Sequence, residues 1–194
     1  LRGKEVTVVT DPYAAGESAT KLHADIVTSS APGDDDLPVA GVTRQVRGPG
    51  EYEVADILIH GVATDAQPGV GPTNTAYVFR IDDLVLCHLG ALTRKLGPEQ
   101  IEEIGNIDVV FVPDKNGDDL GPTEAAEVVH QLDPKLVIPM ELTSDRPGNG
   151  ALPETFLREM GATGVSPEAK VSVTRGSLPS EVRVVVLEPK RGER

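Results

Sequence analysis

Short apolar runs, most of them β-branched, punctuate this chain and predict its order of elements by spacing alone. Glu5 to Thr10 predicts a strand ending at Asp11-Pro12-Tyr13. A loop with Gly16 and Ser18 separates it from a second strand, Ala24 to Ser29. Val42 to Arg47 alternates apolar with polar residues, the period of a half-buried strand. Gly48-Pro49-Gly50 predicts a hairpin turn, and Glu51 to His60 resumes as one or two strands. Two Pro and two Gly make Ala66 to Thr73 an exposed loop. Asn74 to Ile81 and Leu84 to Leu89 then form two strands around a hairpin turn at Asp82-Asp83.

After Gly90 the period changes. Pro98 to Gly105 reads as a short helix with Pro in its first turn, acids early and Gly at its end. Ile107 to Val112 is almost continuously apolar, as a strand buried on both faces requires. Pro122 to Leu132 is a second helix with Ala125, Val128, Val129 and Leu132 on one face. Lys135 to Met140 is another buried strand, Pro153 to Met160 a third helix, and Lys170 to Arg175 and Glu181 to Leu187 two closing strands. An antiparallel-looking β half thus precedes an alternating β/α half. No linker or fixed-period repeat interrupts residues 1–194, so a single α/β domain is expected.

Composition narrows the function. Three Phe, three Tyr and no Trp leave little for base or sugar stacking. A net charge of −13 repels nucleic acid and anionic membranes, so neither is expected as a partner, whereas cations or a basic partner are favoured. No apolar run is long enough for a membrane helix. One cysteine, Cys87, excludes an internal disulfide and fits a cytoplasmic protein.

Several strings, in order, resemble the metallo-β-lactamase superfamily, closest to the branch containing ascorbate-6-phosphate lactonase and metal-dependent hydrolases. They are Thr10-Asp11-Pro12-Tyr13, Ala24-Asp25-Ile26-Val27-Thr28, Gly48-Pro49-Gly50-Glu51-Tyr52-Glu53-Val54, Asn74-Thr75-Ala76-Tyr77, Cys87-His88-Leu89-Gly90 and Ile138-Pro139-Met140. The resemblance implies an αβ/βα sandwich of two packed mixed sheets with helices outside. It also implies metal ligands on loops along one edge, where a bound Zn²⁺ or Mn²⁺ would generate hydroxide from water.

Carried over by position, that site is largely substituted. The family's His-x-His-x-x-His loop falls on Ala31, Gly33 and Asp36, with Asp35 at the acid or Gly between. The aspartate after His-Leu-Gly is Ala91, and the histidine after Ile-Pro-Met is Glu141. The family's Gly-His-Ser string would precede Leu1, and its Gly-Gly pair is replaced near Lys115-Asn116. No cofactor is therefore expected, and the protein reads as a non-catalytic homologue acting by binding a small molecule or protein, or by homo-oligomerisation. The alternative is a lactone or phosphoester hydrolase with a rebuilt Mg²⁺ or Mn²⁺ site from Asp35, Asp36, Asp118 or Asp119, and Glu141, since carboxylate oxygens suit those ions.

The remaining candidates have plainer explanations. Asp34 to Asp36 beside Pro32-Gly33 also read as a solvated turn. Asp114 to Asp119 fails as a calcium loop, with Asp119 and Ala125 where Gly and Glu belong. Cys87 and His88 point to opposite faces of a strand, so they do not form a nucleophile–base pair. His23, His60 and His130 lack ligand spacing. Asp11 is expected to fix its local turn, and Asn74 to tie loop backbone near the site edge.

Overall fold

A computed structural model describes residues 1–12, 23–31, 39–67, 71–113, 120–140 and 154–188. Two sheets are packed face to face. The smaller holds β1 (Val8–Thr10), β2 (Ile26–Ser29) and β3 (Arg44–Arg47). The larger is built from β4 (Gly50–Val54), β5 (Ile57–Ala63), β8 (Thr75–Ile81), β9 (Leu84–His88), β10 (Val109–Pro113), β11 (Leu136–Met140) and β12 (Arg183–Val184). Its spatial order is β12-β11-β10-β9-β8-β5-β4. A small ribbon pairs β6 (Ala66–Gln67) with β7 (Gly71–Pro72), inside the stretch expected to be loop.

Val8, Ile26 and Val46 from the smaller sheet meet Ile57, Ile59, Tyr77, Phe79 and Ile81 from the larger, forming the inter-sheet core. The larger sheet's other face carries α1 (Pro98–Ile104), α2 (Pro122–Leu132) and α3 (Glu154–Glu159). Ala125, Val128, Val129 and Leu132 of α2 pack there with Phe156 and Leu157 of α3 over Val110, Val112 and Val137. Each fully buried side chain of Val or Leu size stabilises by roughly 1.5–3 kcal/mol. The packed sheets with helices outside agree with the expected sandwich, and the helices among the described residues all cover the larger sheet.

The hairpin at Asp82-Asp83 is present, with φ of 50° and 65°. Ala55-Asp56 makes a similar turn between β4 and β5, with φ of 50° and 60°. Both turns place two consecutive residues in the left-handed region, which matches the twist of a two-residue hairpin.

Three expectations are corrected. First, β1, β2 and β3 pair in parallel rather than antiparallel. The connections 11–25 and 30–43 are long, and parallel neighbours need crossovers of roughly a dozen residues or more. Second, Gly48-Pro49-Gly50 is no hairpin, because β3 and β4 belong to different sheets. It is a step between layers, held by the Tyr52 hydroxyl donating to the carbonyls of Arg47 (2.8 Å) and Gly48 (3.1 Å). Third, Lys170 to Arg175 forms no strand. Val171 and Val173 instead cover the sheet face over Val109, Leu136, Ile138 and Val185, and Arg175 is clamped to Asp108 at 2.6 and 2.7 Å. Those valines bury area by lying across strands rather than by joining a ladder.

One bond crosses the sandwich near the carboxyl ends of β1 and β2. The buried Tyr77 hydroxyl, on the larger sheet, donates to the carbonyl of Ser29 at 3.0 Å. Burial raises the Tyr77 pKa well above the ordinary tyrosine range, so it remains a donor. Tyr77→Phe keeps the ring and removes this cross-sheet bond, at a cost of about 1–2 kcal/mol in urea unfolding; an unchanged midpoint would remove Tyr77 as a tie between the sheets.

Candidate functional site

The ends of β1, β2 and β9 and the start of β8 converge on one edge of the sandwich. Asp11 follows β1 with φ of 45°, and its amide donates to the Thr28 carbonyl at 2.8 Å. Its side chain bonds across to the next strand, where Oδ1 accepts the Ser30 amide at 2.6 Å. Asp11 therefore joins two strand ends, rather than bracing only its own turn as the sequence suggested. The Ser30 carbonyl in turn accepts the Thr75 amide at 2.9 Å, linking the smaller sheet to β8.

Asn74 has the role anticipated for it. It is 1% exposed and uses both ends of its amide. Nδ2 donates to Thr64 Oγ1 at 2.7 Å and to the Leu89 carbonyl at 2.9 Å. Oδ1 accepts the Ala91 amide at 2.9 Å. Gly90 fits between Asn74 and Ser30 only because it lacks a Cβ, which would lie 2.5 Å from Asn74 Oδ1 and from Ser30 Oγ. Its φ of +63° disfavours a side chain independently.

A second carboxylate, Asp65, holds the loop that follows. Its Oδ2 accepts the amide (3.1 Å) and hydroxyl (3.0 Å) of Thr93. Arg94 Nε lies 3.0 Å from Oδ1, close enough for an ion pair but without the alignment of a hydrogen bond. Gln100, in the first turn of α1, donates to the Ala63 and Thr64 carbonyls at 2.9 and 2.7 Å, tying the helix to the same loop. Sequence reasoning missed Asp65 and Ser30. Neither has a motif, and their roles come from partners distant along the chain.

His88 lies 3% exposed on the inner face of β9, in register with Tyr77 on one side and Phe111 on the other. Its Nδ1 accepts the Gly90 amide at 3.2 Å and stands 3.7 Å from Asp11 Oδ2. Burial lowers its pKa, and the Asp11 charge opposes that shift only in part. Cys87 faces the other way into the helical layer, as alternation required, and burial pushes its thiol up to about 12. Among the other histidines, His23 and His130 are exposed and His60 faces Glu103 at 3.3 Å on the far face of the sheet.

Of the positions inherited from the family's metal site, the structure describes two. Ala31 and Ala91 are both half-buried at this edge and offer methyl groups, and the Ala91 amide is already taken by Asn74. Gly33, Asp34, Asp35, Asp36, Asp118, Asp119 and Glu141 lie outside the described residues. Among the described residues no three His, Cys, Asp or Glu side chains are grouped to hold a metal ion.

Residues 1–141 match the beta-lactamase superfamily domain, and the chain belongs to the metallo-β-lactamase superfamily. A protein of Thermotoga maritima assigned to the zinc-dependent hydrolases of that superfamily is 30% identical, with a TM-score of 0.74 over 97% of this chain and 93% of its own. A metal-dependent hydrolase of Opitutus terrae is 34% identical over 110 residues, 55% of this chain. That match spans 47% of the relative, about half its length. A metallo hydrolase from Ignicoccus hospitalis shares the fold at 17% identity, with a TM-score of 0.65 over 98% of this chain and 91% of its own.

Two outcomes follow from the geometry. Asn74→Ala strands the Thr64, Leu89 and Ala91 groups together and is expected to cost roughly 2–5 kcal/mol, read by chemical denaturation; a loss below about 1 kcal/mol would mean the loop holds itself. His88, held neutral by burial, contributes stability that is complete above the unfolded histidine pKa near ~6.5 and is lost as pH falls through its lower folded value. The melting temperature should thus fall on acidification through this window, and His88→Asn should flatten that dependence.

Proposed function

We propose that this chain is a metallo-β-lactamase-fold protein that acts by binding, without the metal-dependent hydrolysis named for its relatives. The observation carrying this reading is at the site edge: Ala31 and Ala91 present methyl groups where the family places ligands, and Asn74 occupies the backbone at Ala91. Hydrogen bonds among Asp11, Ser30, Asn74, Asp65 and Thr93 already hold these loop ends together. The net charge of −13 supports a basic protein or a cationic small molecule as the ligand, over nucleic acid or a membrane. A cytoplasmic location belongs to the same reading and rests on the single cysteine.

Elemental analysis of protein purified without chelator and then dialysed tests it. Zinc, manganese and iron are expected far below one equivalent, with no change in melting temperature on adding EDTA. Zinc or manganese near one equivalent after dialysis would overturn the proposal. So would Mg²⁺- or Mn²⁺-dependent cleavage of a lactone or phosphoester that Asp36→Ala and Glu141→Ala abolish, and this result would favour the carboxylate-rich site.

A further inference from the structure

One atom at the site edge has two competing partners. His88 Nδ1 accepts the Gly90 amide at 3.2 Å while Asp11 Oδ2 stands 3.7 Å away from it. A ring nitrogen that accepts an N–H bond is unprotonated, so the imidazole proton resides on Nε2. In that state Nδ1 cannot bond to the Asp11 carboxylate, since both would be acceptors. In the imidazolium both nitrogens donate, and the relation inverts: Nδ1–H matches Asp11 Oδ2 and opposes the Gly90 N–H.

We propose that His88 is a proton-operated switch that exchanges the Gly90 amide for the Asp11 carboxylate and so releases the first anchor of the Gly90–Arg94 loop. The proton comes from hydronium in the solvent: its O–H bond breaks, water leaves, and an N–H bond forms at Nδ1. The Gly90 amide loses its acceptor, and the imidazolium gains an ion pair with a carboxylate that is only 5% exposed. Pairs of this kind are strong when both charges are removed from water. Asp11 is poised for the exchange because Oδ1 is fixed by the Ser30 amide at 2.6 Å, which leaves Oδ2 toward the ring.

The surroundings favour a discrete change. Among the described residues, the titratable groups nearest the ring are Asp11 at the end of β1 and Tyr77, its register partner on β8. Tyr77 is committed to Ser29 and does not titrate in this range. Phe111 on β10, 6.1 Å from the ring, and Ser30 beyond β2 carry no charge. Gly90 is confined between Asn74 and Ser30, so losing its acceptor is not repaired by a simple rotation. Farther along, Asn74 and Asp65 still hold Ala91 and Thr93, so the loop loosens at its root while its tip remains tied. The switch depends only on this geometry and holds whether or not the protein is an enzyme.

Nuclear magnetic resonance of the labelled full chain between pH 8 and the onset of acid unfolding tests it. The His88 ring should report the Nε2–H tautomer at high pH. On acidification the Gly90 amide proton should move upfield with the same midpoint as the His88 ring carbons. Asp11→Asn keeps an acceptor for Ser30 but removes the charge, and should lower that midpoint by at least half a pH unit, roughly a threefold weaker proton affinity. A His88 ring that titrates while the Gly90 amide stays still would overturn the proposal. A ring that never titrates before unfolding, or an Asp11→Asn midpoint equal to the wild type's, would do the same.

Discussion

Thr28, Ser30, Thr64, Asp65, Asn74 and His88 are buried at the site edge, where a polar group that lacks water needs a partner within the protein. A buried, unpaired amide or carbonyl costs about 1–3 kcal/mol, more than an average hydrogen bond returns. Asn74 meets that constraint for three segments at once, since its single side chain reaches Thr64, Leu89 and Ala91. Asp11 and Asp65 do the same for Ser30 and Thr93. The edge is a lattice of backbone groups braced by three short side chains, and the sheets meet in the orientation that lets these reach.

The same lattice explains why small residues crowd this corner. Gly90 touches both Ser30 and Asn74, and any side chain there would separate the sheet ends that Ser30 and Thr75 join. Two hydroxyls, Thr28 Oγ1 and Ser30 Oγ, are buried without a partner among the described residues. With Asp65 Oδ1, they mark where the hydrogen bonding described at this corner is incomplete. Stability and polarity thus compete within a few ångströms, as they do wherever a fold keeps polar groups at the ends of its strands.

Much of the architecture was legible because hydrophobic spacing reports it locally. The helices Pro98–Ile104 and Pro122–Leu132 begin at their prolines, and the Asp82-Asp83 turn lies where two apolar runs part. What pattern could not give was pairing direction. Val8 and Ile26 alternate identically in parallel and antiparallel ladders, so the parallel smaller sheet was invisible. Val171 and Val173 look like a strand because burial across a sheet face and burial within it need the same alternation. At the site, Asn74 was anticipated from the family resemblance, whereas Asp65 acquires meaning only when Thr93, distant in sequence, folds back onto it. The aspartates at 34–36 drew attention through composition, yet the polar organisation described at this edge is carried by side chains with no such signal.

Cys87 gives the molecule a chemical clock. It is the only sulfhydryl in the chain, fully enclosed beneath the helices, and its thiol is held near 12, so neither access nor thiolate is on offer in the native state. A thiol reagent can react only when the larger sheet and its helical cover part. The rate of pulse labelling at this one atom therefore counts openings of the core, separately from any rearrangement at the loop beyond His88.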